Sequence, residues 1–274
     1  MELIVFDLDG TLLNASSELS SYTRETLHKL TNAGILYTIA TGRTLHASKE
    51  VLESHRFRLP LAFKNGVAIW NPEAAVYTQH THLTLTEIEH VVSAVLAQGI
   101  APFLFTLEPG NRHAIYHPPL HTDIEKKLVT DFYERPGVDV RPAGDMPANA
   151  EISNISAVGP SRAVEAVELM VANEPGLVAY AGIAQEAEDL KWIDIHHVEA
   201  SKGSAAQTLR DELGASRIVC FGDSDNDLPM FEAADEAYAP SNAKPEVIAA
   251  ATAVIGHHDE DGIARFLRKR FNLD

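Results

Sequence analysis

Short β-rich apolar runs alternate with longer amphipathic stretches along this chain, and the alternation is clearest at its two ends. The first run, Leu3 to Phe6, stops at Asp7, as a buried parallel strand ending at a polar site would. An amphipathic stretch from about Ser20 to Asn32, closed by Gly34, predicts a helix, and Ile35 to Ala40 predicts a second strand ending in Thr41-Gly42-Arg43. A helix over Thr44 to Ser54 then leads through Pro60 to a third run, Leu61 to Phe63, and the turn Asn65-Gly66. The order β-α-β-α-β predicts a parallel, doubly wound sheet.

The same pattern returns late: a helix over Ser204 to Leu213, a strand over Arg217 to Phe221, a helix over Leu228 to Ala234, and strands near Ala237 and at Val254-Ile255. Residues 1–80 and 189–274 are therefore read as one α/β core. The 81–188 stretch mixes strand runs (Phe103-Leu104-Phe105, Ile152 to Val158) with helical ones (Leu85 to Gln98, Ser161 to Asn173), which predicts an inserted α+β domain. At 274 residues the chain is long enough for both units.

Charge narrows the partners. With 22 Lys plus Arg against 39 Asp plus Glu, the net charge of −17 repels nucleic acid and anionic membrane surfaces. A small anion remains acceptable, because a divalent cation and a few basic side chains dominate the field inside a cleft. The one cysteine, Cys220, excludes an internal disulfide and sits in the apolar run Ile218 to Phe221, where it reads as a small buried hydrophobe. No stretch approaches the roughly 18 apolar residues of a membrane span, and Met1-Glu2-Leu3 opens without a basic leader, so a cytoplasmic protein is expected.

Ligands of open α/β sheets bind beyond the carboxyl ends of the strands, so polar groups at several such ends should converge. Asp7-Leu8-Asp9-Gly10-Thr11, Thr41-Gly42-Arg43, Ser201-Lys202-Gly203 and Gly222-Asp223-Ser224-Asp225-Asn226-Asp227 all stand there or at an adjacent helix start. In strand geometry Asp7 and Asp9 would share a face, and two carboxylates meeting without positive charge call for a divalent cation. An all-oxygen donor set, with Asp223 and Asp227 adding to it, suits magnesium. Lys202, the Thr41 hydroxyl and the Gly42 N–H suit phosphate oxygens. The chain has no Walker loop and no G-x-S-x-G elbow, which leaves an Asp carboxylate as the credible nucleophile: Asp7, with Asp9 as acid and base.

These four segments, in this order, resemble the haloacid dehalogenase superfamily, whose motifs run D-x-D-x-T, a strand-end Thr or Ser, a Lys, and an acidic G-D-x-x-x-D turn. The Asn65-Gly66 turn, Asn226-Asp227 and the long insertion resemble its Cof-type branch, with a C2B cap. The resemblance implies a Rossmann-like core with that α+β cap, magnesium, and hydrolysis of a sugar phosphate or similar small phosphomonoester through an aspartyl phosphate on Asp7. It further implies that Asp7, the Asp9 backbone carbonyl and Asp223 hold the metal. Thr41, Gly42, Lys202 and Asn226 would bind the phosphoryl group, and Asp227 would support them. A phosphotransferase or mutase using the same intermediate, and a non-catalytic metabolite or magnesium sensor, fit the same motifs.

Other polar clusters are read as structure. Adjacent histidines point to opposite sides of a strand or helix, so His196-His197 and His257-His258 make poor shared ligands and, like His80-Thr81-His82, are expected on solvated surface. Asn111-Arg112-His113 and His117 are expected in a surface loop, and Arg43 in a surface salt bridge.

Overall fold

The computed structural model describes residues 1–110, 112–134, 137–184 and 189–273. Two compact units emerge, one of residues 1–79 with 200–274, the other of residues 80–199. Each has its own buried apolar groups.

The first unit opens with β1 (Glu2–Phe6), α1 (Ser21–Asn32), β2 (Leu36–Ile39), α2 (Lys49–Ser54), β3 (Leu61–Phe63), β4 (Ala68–Asn71) and β5 (Val76–His80). Ser20 caps α1 by accepting the Thr23 N–H at 2.9 Å, which sets the start of that helix. Strand β1 is central: it pairs in parallel with β2 on one side and with a late strand on the other, and Leu3 to Phe6 are fully buried. Continuous apolar character is what two covered faces require.

The third strand departs from the predicted pattern. It meets β2 through a single parallel bridge, Ala40 to Ala62, and then pairs antiparallel with β4, in a separate sheet ordered β3-β4-β5. The cause is local: Lys64, Asn65 and Gly66 all adopt positive φ, which reverses the chain directly after Phe63.

The second unit contains α3 (Leu85–Ala97), β6 (Phe103–Glu108), β7 (Arg112–His117), α4 (Asp123–Tyr133), β8 (Val138–Pro142), β9 (Ile152–Pro160), α5 (Ser161–Val171), β10 (Leu177–Ile183) and β11 (Leu190–His197). Its sheet is ordered β10-β11-β9-β6-β7-β8. Capping boxes at Thr84 and Thr122 start α3 and α4. The sequence reading resumed the core at residue 189, but β11 pairs antiparallel with β9 and β10 and so belongs to the inserted sheet. The proposed end of the insertion at Glu188 and the candidate Asn111 lie outside the described residues.

The chain returns through α6 (Lys202–Glu212), β12 (Arg217–Phe221), α7 (Leu228–Ala233), β13 (Glu236–Pro240), α8 (Pro245–Ala250), β14 (Ala253–Ile255) and α9 (Gly262–Phe271). These complete a five-stranded parallel sheet, β14-β13-β12-β1-β2, built from both ends of the chain. Cys220 is buried in β12, as its apolar setting predicts. No helix among the described residues is long and apolar enough to cross a membrane.

The histidine and cap expectations need revision. His196 is buried with its ring 5.6 Å from that of Tyr180, because β11 is an interior strand of its sheet. Arg112, His113 and His117 belong to β7, not to a loop.

Candidate active site

Strands β1 and β12 are adjacent and parallel, with Phe6 paired to Phe221, so Asp7 and Gly222 leave the sheet side by side. The Asp7 N–H donates to the Phe221 carbonyl at 2.9 Å, which carries the ladder one residue past the strand. Gly10 then turns with φ of 72°, and a Cβ there would stand 2.5 Å from Asp223 Oδ2. Only glycine allows this turn to lie against that carboxylate. Thr11 donates to the other oxygen, Asp223 Oδ1, at 3.0 Å.

The acidic turn after β12 is equally tight. Asp227 Oδ2 accepts the backbone N–H groups of Asp223 (2.9 Å) and Ser224 (3.0 Å). A Cβ on Gly222 would stand 2.4 Å from Asp227 Cγ, so this glycine is what lets the side chain fold back beneath its own turn.

Lys202 opens α6 and is 1% exposed. Its Nζ donates to Asp7 Oδ1 and to Asp227 Oδ1, both at 2.6 Å. One ammonium thus bridges two buried carboxylates, and Asp7, Asp223 and Asp227 offer oxygens within 4.8 Å of one another. The imbalance has electrostatic consequences. Burial, together with the charges of Asp227 and Asp223, pushes Asp7 well above its ordinary carboxylate range, although Lys202 opposes the shift. Burial and Asp227 likewise raise Asp223. Burial disfavours the Lys202 charge, but Asp227 and Asp7 outweigh it and hold the ammonium above its usual range. The three carboxylates therefore lack positive charge, and an all-oxygen set with that deficit fits a hard divalent cation such as magnesium.

Asp9 stands apart from this group. Its side chain is half exposed and takes a two-pronged bond from the Arg43 guanidinium, with Nε donating to Oδ2 at 2.7 Å and Nη2 to Oδ1. The expected meeting of the Asp7 and Asp9 carboxylates does not occur, because the strand ends at Phe6 and the chain turns helical at Leu8, between the two acids, which breaks the extended geometry that would have aligned them. Asp223 and Asp227 take that place. Arg43, read from sequence as a surface ion pair, forms one with the half-exposed Asp9 and thereby links the second strand end to the first.

Thr41 is buried at the end of β2, and its Oγ1 accepts the Arg43 N–H at 3.1 Å, so the hydroxyl proton remains free to be donated. A Cβ on Gly42 would lie 3.2 Å from Asn65 Oδ1 and 3.7 Å from Asn226 Nδ2. Those two side chains bond each other, Asn226 Nδ2 to Asn65 Oδ1, at 2.9 Å. Asn65 was legible in sequence only as a turn residue, yet it is buried and holds Asn226 beside Gly42. The first unit thus gathers Asp7, Lys202, Asp223 and Asp227 at one point and joins Gly42 to Asn226 and Asp9 to Arg43.

The haloacid dehalogenase-like hydrolase family profile matches residues 4–267. The chain belongs to that family. It falls in the family's Cof-type branch, whose α/β core carries an inserted α+β cap. The chain is 28% identical to 5-amino-6-(5-phospho-D-ribitylamino)uracil phosphatase YitU of Bacillus subtilis, over 99% of this chain and 98% of that protein. It is 26% identical to HMP-PP phosphatase of Cronobacter sakazakii, over 96% and 93% of the two chains. Among solved structures, a haloacid dehalogenase-like hydrolase from B. subtilis superposes with a TM-score of 0.77 at 23% identity, covering 98% of this chain and 99% of the other. That likeness concerns the fold.

Proposed function

We propose that this Cof-type phosphatase hydrolyses a small phosphorylated metabolite, a sugar phosphate or similar phosphomonoester, with magnesium as cofactor and an aspartyl phosphate on Asp7 as intermediate. The observation that carries the reading is the buried Asp7, which faces Lys202 with Asp223 and Asp227 close by, at the end of the central strand.

Asp7, the Asp9 backbone carbonyl and Asp223 would hold the cation, which supplies charge neutralisation for the transferring phosphoryl group. Lys202 has three N–H donors and spends two on Asp7 and Asp227, which leaves one for a phosphoryl oxygen. Thr41, Gly42 and Asn226 would hold the remaining oxygens. An Asp7 oxygen attacks phosphorus, the bond to the leaving oxygen breaks, and Asp9 donates the proton the leaving alkoxide takes up. Water then attacks the phosphorus of the aspartyl phosphate, Asp9 takes a proton from it, and phosphate leaves with Asp7 regenerated. Arg43 grips both Asp9 oxygens and so fixes where that acid stands.

The likeness to the B. subtilis 5-amino-6-(5-phospho-D-ribitylamino)uracil phosphatase supports placing a phosphorylated ribitylamino uracil in the first substrate panel, beside sugar phosphates. The test is phosphate release from that panel with magnesium or with chelator, for wild type and Asp7→Asn. Magnesium-dependent release lost in the variant is expected; equal release by both proteins would remove Asp7 as nucleophile.

A further inference from the structure

The two loops that carry the carboxylates come from opposite ends of the sequence, and their separation sets the size of the space between Asp7 and Asp223. A turn the motifs do not include touches both. It follows β13, and there Asn242 Nδ2 donates to the Gly10 carbonyl at 2.8 Å. Two residues on, the Lys244 backbone N–H donates to the Asp223 carbonyl at 2.9 Å. One short turn is therefore bonded to the main chain of both acid-bearing loops.

The Asn242 amide is itself held. Its Oδ1 accepts the His258 N–H at 3.2 Å, which fixes which end of the amide faces Gly10. His258 Nδ1 in turn donates to the Leu13 carbonyl at 2.7 Å, so the catalytic turn is pinned both at Gly10 and where it ends. The Gly10 contact matters because that residue lies directly against the Asp223 carboxylate and directly follows Asp9. Movement of the Gly10 peptide would displace both groups.

We propose that Asn242 is a positioning residue for the cation site: its side chain sets the spacing of the Asp7–Gly10 loop against the Asp223 loop and thereby the affinity for a divalent cation. The inference rests on the reading that these carboxylates hold magnesium, and Asn242 acts through the main chain, since both polar atoms of its amide bond within the protein. Groups that orient ligands from outside are commonly worth about 10-fold to 100-fold in metal affinity.

The experiment is calorimetric titration of magnesium chloride into the metal-stripped full chain, comparing wild type, Asn242→Ala, Asn242→Ser and the neighbouring Ser241→Ala, each checked by thermal melting in chelator. Asn242→Ala should raise the magnesium Kd about 10-fold or more, while Ser241→Ala leaves it unchanged. Turnover of Asn242→Ala should recover as magnesium is raised, with KM for the phosphate ester unchanged. A general structural role would instead lower the melting temperature in chelator and leave Kd alone. Should Asn242→Ala fold poorly, the smaller change to Ser, which keeps a hydroxyl donor too short to reach Gly10, carries the same expectation. An unchanged Kd in a folded Asn242 variant overturns the inference while leaving the phosphatase reading in place. Absence of magnesium binding by wild type overturns the cation reading on which it stands.

Discussion

Two buried carboxylates, one in each unit, are held in opposite ways. Glu125 of α4 is 1% exposed, and its oxygens accept three backbone N–H groups, from Ala101 (3.0 Å), His121 (2.7 Å) and Thr122 (2.9 Å). Burial works against its charge, yet those bonds hold it below the usual glutamate range. Asp7, 5% exposed, shares one ammonium with Asp227, has Asp223 close by, and is pushed up. Burial alone therefore marks neither a structural nor a chemical residue. The difference lies in compensation: Glu125 closes a helix start and a strand approach with every charge answered, whereas the Asp7 cluster is left short of positive charge where a cation and a phosphoryl group would supply and use it.

That contrast can be broken by substitution. Asp7→Asn should cut phosphate release by about 1,000-fold or more, yet melt in chelator no lower than wild type, since it removes a charge from an under-compensated group. A clear loss of stability would make Asp7 structural in the manner of Glu125. Lys202→Met strips the ammonium bonded to both Asp7 and Asp227, and breaking such a buried pair costs about 3–5 kcal/mol in urea unfolding. Glu125→Ala orphans three backbone donors and should cost about 2–3 kcal/mol, with turnover per folded molecule unchanged. A fall in turnover there would erase the distinction drawn between the two carboxylates.

His55 supplies a third case, burial with no opposing charge. Its imidazole, bonded to the Tyr37 hydroxyl at 2.8 Å, is pushed down to about 4 by burial and then by nearby His28. The unfolded chain binds a proton near pH 6.5 that the folded chain refuses until about 4. His55 thus contributes no pH penalty above 6.5, and its stability is lost as pH falls from 6.5 towards 4. Unfolding free energies across that window should fall by up to about 1.4 kcal/mol per pH unit more steeply in wild type than in His55→Gln. Parallel pH profiles would show that His55 titrates normally.

Much of the site could be read from the chain because its chemistry is written at strand ends. Asp7, Thr41, Lys202 and the Gly222 to Asp227 turn each follow or precede an apolar run whose period is plain. What escaped is whatever depends on side chains meeting across long separations. The Asn65–Asn226 bond joins residues 161 apart, and the Asn242–Gly10 bond joins residues 232 apart. Neither residue carries a local signal beyond that of a turn former. The Asp7–Asp9 pairing failed for the converse reason: two residues apart in sequence implies one face only while the backbone stays extended, and the helical turn that begins at Leu8, between the two, ends that. Strand β11 was missed because its period is broken: Trp192 and Ile193 are adjacent apolar residues within Leu190 to His197, so the stretch lacks the clean alternation of a strand.

The most direct test of the central claim is rapid chemical quench of a single turnover with a substrate carrying a labelled phosphoryl group, followed by borohydride reduction and peptide mapping. The account predicts transient label on the chain, reduction of Asp7 alone to homoserine, and neither signal in Asp7→Asn. Release of labelled phosphate at the wild-type rate with no labelled protein at any time, and unreduced Asp7, would contradict it.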